Sequence, residues 1–179
     1  MRRRELLAGL AGLGTVGGGA AVAVHGVPFG QSDGAERIDS LDLSVIEAPD
    51  DEEPPERMAI PREGEVTFLE IFATWCGICQ DMMPDLAAVY EEVGDEVQFV
   101  SVTYEPVGQT VEEDHVREWW ADHGGTWPVA HDADLELTGR VDANGVPYSF
   151  ILDESNRLVW RHRGDVDRAT LEERIGEQL

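Results

Sequence analysis

The stretch Phe72-Ala73-Thr74-Trp75-Cys76-Gly77-Ile78-Cys79 constrains this chain more than any other, because it holds the only two cysteines. A near-continuous apolar run, Val66 to Phe72, precedes it. A helical pattern follows, with Met82, Leu86, Val89, Tyr90 and Val93 at spacings of three and four. The expectation is a buried strand that ends in a Cys-x-x-Cys turn and opens a helix. Two thiols at that spacing lie within one helical turn and can close a small disulfide with little backbone movement. Cys76 falls at the helix N-terminus, where unpaired backbone N–H groups and the helix dipole favour a thiolate, the species that attacks disulfides. Cys79 lies one turn in and is expected to be more shielded. One nucleophile and one resolving thiol are the minimum equipment for dithiol–disulfide exchange. Glu70 interrupts the apolar run. A carboxylate in a strand buried on both faces is costly unless it has a task or partners; the alternative is an edge position with Glu70 in solvent. Burial would raise its pKa and let it take a proton from Cys79.

Trp75-Cys76-x-x-Cys79 after an apolar strand resembles the thioredoxin superfamily, and three further positions match it. Glu70 lies six residues before Cys76, where the superfamily keeps a buried acid. Pro84 lies eight residues after Cys76, where the active-site helix is kinked. Gly145-Val146-Pro147, just before another apolar strand, resembles the cis-proline loop that faces the disulfide. Taken with the N-terminal segment described below, the pattern is most similar to the extracytoplasmic TlpA/ResA-like branch. The resemblance spans residues 38–179 and implies an α/β thioredoxin fold, a central mixed β-sheet flanked by helices. It implies Cys76 as nucleophile, Cys79 as resolving thiol and Glu70 as proton acceptor. It also implies that the Val146 backbone pairs with an extended substrate chain and that Pro147 keeps metal off the thiols. A cis Val146–Pro147 bond is expected, since only X–Pro bonds adopt cis at modest cost. Trp75 is expected to shape the surface beside Cys76, to pack in the core, or to do both. One position departs from the family: Ile78 stands where many relatives place proline, so the exchange chemistry carries over but its redox poise does not. The resemblance implies no organic cofactor, protein disulfide or dithiol substrates, a membrane electron donor and a monomer. Because such relatives are mostly reductants, acting on proteins such as apocytochromes c, reduction is the expected direction. A disulfide-forming oxidant is the alternative.

Charge bears on partners. The chain has 37 acidic residues against 13 basic ones, all arginine, for a net charge of −24. Binding to nucleic-acid phosphates is therefore not expected. The acids are spread along the chain, as on a solvated, halophile-like surface; recognition of a basic partner is the narrower reading. Residues 1–25 look like a targeting segment. Arg2-Arg3-Arg4 is a basic start, and Leu6 to Val24 is uncharged and rich in Gly, Ala, Leu and Val. Arg3-Arg4-Glu5-Leu6-Leu7 resembles a twin-arginine export signal. A retained membrane anchor is the alternative, and either one puts the remainder of the chain outside the cytoplasmic membrane.

Residues 26–37 read as a linker and 38–179 as one domain. Within it, Ile38 to Ile46 alternates like a strand, Pro49 to Pro61 reads as an acidic loop standing in for a shortened hairpin, and Val97 to Thr103 reads as a second buried strand. Val111 to His123 is expected to be helical, with Val116, Trp119, Trp120 and His123 on its apolar face; the paired tryptophans fit sheet packing better than a ligand. A short strand over Thr126 to Ala130 and a short helix over Leu135 to Val141 follow. The chain then reads as a hairpin of Val146 to Leu152 with Arg157 to His162, and a last helix capped by Asp165 or Asp167 with Leu171, Ile175 and Leu179 on one face. Two other function classes stay open. The cysteine pair could be half of a zinc or copper site, but His25, His115, His123, His131 and His162 show no ligand spacing to complete it. A non-catalytic adaptor would not need the intact pair.

Overall fold

The computed structural model describes residues 35–48 and 55–179; the targeting segment and most of the linker lie outside the described residues. Eleven elements follow in order: β1 (Leu41–Glu47), β2 (Arg57–Ile60), β3 (Thr67–Phe72), α1 (Gly77–Val93), β4 (Gln98–Thr103), α2 (Glu113–Asp122), β5 (Val129–His131), α3 (Glu136–Arg140), β6 (Tyr148–Leu152), β7 (Leu158–Arg163) and α4 (Arg168–Gly176). The strands form one mixed sheet in the order β2-β1-β5-β4-β3-β6-β7. Strands β3, β4 and β5 run parallel, while β6 lies antiparallel to β3 and β7 to β6.

Strand β3 sits inside the sheet, and all six of its residues are buried. Its alternation sends side chains into two separate cores. Phe68 and Phe72 join Phe99, Ile151 and residues of α1, α2 and α4 on one face. Leu69 and Ile71 join Val100, Val102, Phe150, Leu152 and Leu137 of α3 on the other. Such double coverage is why this strand reads as continuous apolar sequence. The first core is aromatic. Trp120 packs edge-on against Trp127 with centroids 4.8 Å apart, and its indole nitrogen donates to the Trp127 carbonyl oxygen at 3.0 Å. Both tryptophans of α2 are thus packing residues. Gly125 permits this arrangement, since a Cβ there would meet the Trp120 ring at 2.4 Å.

Three expectations need correcting. The span 49–61 is not all loop: Arg57–Ile60 forms β2, pairing with β1 from Leu41↔Ile60 to Ser44↔Arg57. Met58 and Ile60 alternate into the core, but four residues between prolines and acids are too short to show periodicity. The hairpin is anchored by Gln98, whose side-chain nitrogen donates to the Ala59 carbonyl at 2.7 Å. The strand expected at 126–130 begins only at Val129, because Trp127 turns into the core and Pro128 has no N–H to give a ladder. Leu179 does not share the buried face of Leu171 and Ile175; it lies beyond the end of α4 and is exposed. Asp167 is the cap of that helix, accepting from the Thr170 N–H at 2.9 Å.

Candidate active site

One end of the sheet gathers the functional loops. Chain leaving the C-terminal ends of β3, β4 and β5 emerges there, because the parallel register aligns Phe72 with Thr103 and Thr103 with His131. The antiparallel β6 begins at the same end, with Tyr148 opposite Ile71. Topology therefore brings Ala73–Cys76, Glu105 and Val146–Pro147 to one edge of the fold. They are separated by up to about half of the described chain.

Cys76 has extended backbone and is the N-cap of α1. Its sulfur accepts from the Cys79 N–H at 3.1 Å, and its carbonyl accepts from Gln80. The sulfur thus occupies the place of a capping oxygen, where the helix field favours negative charge. Cys76 and Cys79 are joined in a disulfide, with Cα atoms 5.3 Å apart. Cys76 keeps 7 % of its surface and Cys79 none, so only the first sulfur is within reach of another protein. Trp75, just before the pair, and Ile78, between its two cysteines, are exposed, Trp75 to 69 %, which rules out core packing for that indole.

Glu70 is fully buried, so the edge placement does not hold. Alternating with Phe68 and Phe72, it lies on the face covered by α1, the helix that carries Cys79. Its Oε2 accepts from the Ser101 hydroxyl at 2.7 Å, and its Oε1 has no hydrogen-bond partner among the described residues. Burial pushes its carboxyl up from 4.5 to about 7, with the Ser101 hydrogen bond pulling the other way. The Val146–Pro147 peptide is cis, and Gly145 before it has φ 136°, a conformation that favours glycine. Pro147 is buried and Val146 half-buried.

Two residues escaped the sequence reading. Glu105, buried just past β4, accepts from both the Thr74 N–H (2.8 Å) and the Thr74 hydroxyl (2.9 Å), and its own carbonyl meets His131 Nε2 at 2.9 Å. It fixes the loop two residues before Cys76. Its sequence context, a lone acid in a Tyr-Glu-Pro loop, carries no signal of that. Ser101 is the second; a serine inside an apolar strand is visible, but its alignment with Glu70 depends on register. Glu105→Ala is expected to lower disulfide-reducing efficiency by about tenfold through a misplaced Cys76 loop, read as kcat/KM with insulin. Unchanged efficiency would show that Thr74 needs no such tie.

Among the described residues, no group of three His, Cys, Asp or Glu side chains is arranged to hold a metal ion. No described helix is long and apolar enough to cross a membrane.

A mixed sheet with a bridged Cys-x-x-Cys at a helix N-terminus beside a cis-proline loop defines a dithiol–disulfide protein of thioredoxin fold. The chain belongs to the Redoxin family, whose model matches residues 51–179. It is 26% identical over 127 residues to sporulation thiol-disulfide oxidoreductase A of Bacillus subtilis, covering 69% of this chain and 70% of that protein. It is 26% identical over 113 residues to thiol-disulfide oxidoreductase ResA of Bacillus anthracis, covering 62% of this chain and 61% of that one. In three dimensions it is similar to a thiol:disulfide interchange protein of Chlorobium tepidum, with a TM-score of 0.67 at 18% identity over 83% of this chain and 99% of that chain. Family, fold and cysteine pair make it a TlpA/ResA-like member of the thioredoxin superfamily and a thiol–disulfide oxidoreductase.

Proposed function

We propose that this enzyme reduces protein disulfides outside the cytoplasmic membrane, with electrons supplied by a membrane dithiol donor. The observation that carries the chemistry is the unequal burial of two bridged sulfurs, one at the helix N-cap and one sealed behind it. In the reduced enzyme, the Cys76 thiolate attacks a substrate disulfide. An S–S bond forms between Cys76 and one substrate sulfur, and the other substrate sulfur leaves as a thiolate. Glu70 takes the Cys79 proton. The Cys79 thiolate then attacks the Cys76 sulfur, which releases the second substrate thiolate and restores the Cys76–Cys79 disulfide. Two electrons pass to the substrate, and the donor's dithiol returns them. Val146 and Pro147 present the extended substrate chain, Trp75 lines the approach, and neither metal nor organic cofactor takes part.

The outward location rests on Arg2-Arg3-Arg4 and the uncharged Leu6–Val24 run. Cell fractionation tests it: Arg3→Lys with Arg4→Lys should leave the protein in the cytoplasm. Direction is tested by equilibrating the Cys76–Cys79 pair with glutathione or dithiothreitol. A reduction potential near or below roughly −270 mV supports a reductant, and one near roughly −120 mV makes the enzyme a disulfide-forming oxidant.

A further inference from the structure

The register places a polar row across three strands: Ser101 of β4, Glu70 of β3 and Ser149 of β6 lie directly opposite one another. All three are fully buried. The two sides of Glu70 are not equivalent. On the β4 side, Ser101 donates to Oε2 at 2.7 Å while accepting from Trp127 Nε1 at 2.9 Å. An indole N–H is a donor only, and a serine hydroxyl carries a single hydrogen. The indole therefore occupies a lone pair of Ser101, and the hydroxyl hydrogen is directed at the carboxylate. On the β6 side, Glu70 Oε1 and Ser149 Oγ have no hydrogen-bond partner among the described residues.

We propose that Ser101, oriented by the Trp127 indole, is a positioning residue that sets the proton affinity of Glu70 and leaves Oε1 as the oxygen that receives the Cys79 proton. The inference rests on Glu70 being the base. A donor fixed on Oε2 stabilises the carboxylate against part of the cost of burial, so a share of the group is ionised near neutrality and ready to accept. Without it, Glu70 would hold its proton over more of the working range and could not take another.

No charged group competes for this role. The titratable groups on the elements packed against this face include Cys79 and Tyr90 of α1 with its N-cap Cys76, His123 at the end of α2, stacked on Trp119, Arg174 of α4, paired with Glu177, and, beyond Ser149, His162 of β7; Glu105 lies past the end of β4. None is hydrogen-bonded to Glu70, and burial and Ser101 alone move its carboxyl. Tyr90 packs against Phe99 and Trp127, and His162 Nε2 lies 2.8 Å from the Asp165 carbonyl.

The test uses the full-length oxidised protein labelled with ¹³C at glutamate side chains, with the Glu70 carboxyl signal identified by its loss in Glu70→Gln. Ser101→Ala should raise the Glu70 titration midpoint by about one pH unit. Trp127→Phe, which keeps a ring but loses the N–H, should raise it by less, and Ser101→Thr should restore it. The pH profile of mixed-disulfide resolution should shift upward with the midpoint in Ser101→Ala, whereas a purely structural defect would lower the rate at every pH. An unmoved midpoint in folded Ser101→Ala overturns the inference and leaves the base reading intact. If Glu70→Gln keeps the wild-type inflexion in the resolution rate, the base reading itself is wrong, whatever Ser101 does.

Discussion

Cys79→Ser is expected to convert the enzyme into a trap. Its Cys76 can still attack a substrate disulfide, but no second thiol remains to resolve the product. Incubation with oxidised substrate proteins should therefore accumulate mixed disulfides through Cys76, visible as reducible high-mass bands and identifiable by mass spectrometry. Steady-state turnover should fall by on the order of a thousandfold or more, because residues that act as a unit are not replaced by their neighbours. Cys76→Ser should be equally inactive but should trap nothing, since Cys79 has no exposed surface. That contrast separates the two roles. A Cys79→Ser enzyme with full activity and no adducts would sink the two-thiol mechanism. A Cys76→Ser enzyme that formed adducts would contradict the burial on which the assignment rests.

Glu70→Gln is expected to act on rate and on stability with opposite signs. A positioned general base contributes typically 10²–10⁴-fold, so resolution of the mixed disulfide should slow by on the order of a hundredfold at pH 7. The deficit should shrink toward pH 9 and above, where hydroxide removes the Cys79 proton unaided. Stopped-flow fluorescence can follow this step, because the exposed Trp75 indole neighbours the reacting sulfur. Stability moves the other way. The folded carboxyl titrates at about 7, above its ordinary 4.5. Between those values the folded state holds a proton that the unfolded chain has shed. Stability from this group is therefore complete below about pH 4.5 and lost as pH rises through about 7. Above that, the buried charge costs on the order of 3 kcal/mol. Glutamine carries no such charge, so the Tm of Glu70→Gln relative to wild type should rise by roughly 5–10 °C between pH 5 and pH 9. A difference in Tm that does not change with pH would mean Glu70 is not the group titrating.

Much of this was legible in the sequence, for reasons that vary with the element. Strands β3 and β4 read clearly because burial on both faces leaves little room for polar residues. Helix α1 read clearly because Met82, Leu86 and Val89 share one buried stripe. The Cys76–Cys79 pair and Glu70 were visible because the chemistry requires local spacing. Strand β2 was hidden by its four-residue length, and the start of β5 by a tryptophan whose side chain belongs to the core. Ser101 and Glu105 were hidden for a different reason. Each acts on a residue 31 positions away, through strand register that no local pattern encodes. Sequence shows which residues are unusual, and only the pairing of strands shows which of them are neighbours.

The sealing of Cys79 behind Cys76 restricts which covalent species the enzyme can form. A protein substrate can be joined through one sulfur only, so each intermediate has the same connectivity and presents the same bond to the attacking thiol. Adducts on the second sulfur are sterically closed. Every protein substrate then shares a single exit route, and selectivity among substrates falls to the exposed residues around Cys76 and not to the exchange chemistry.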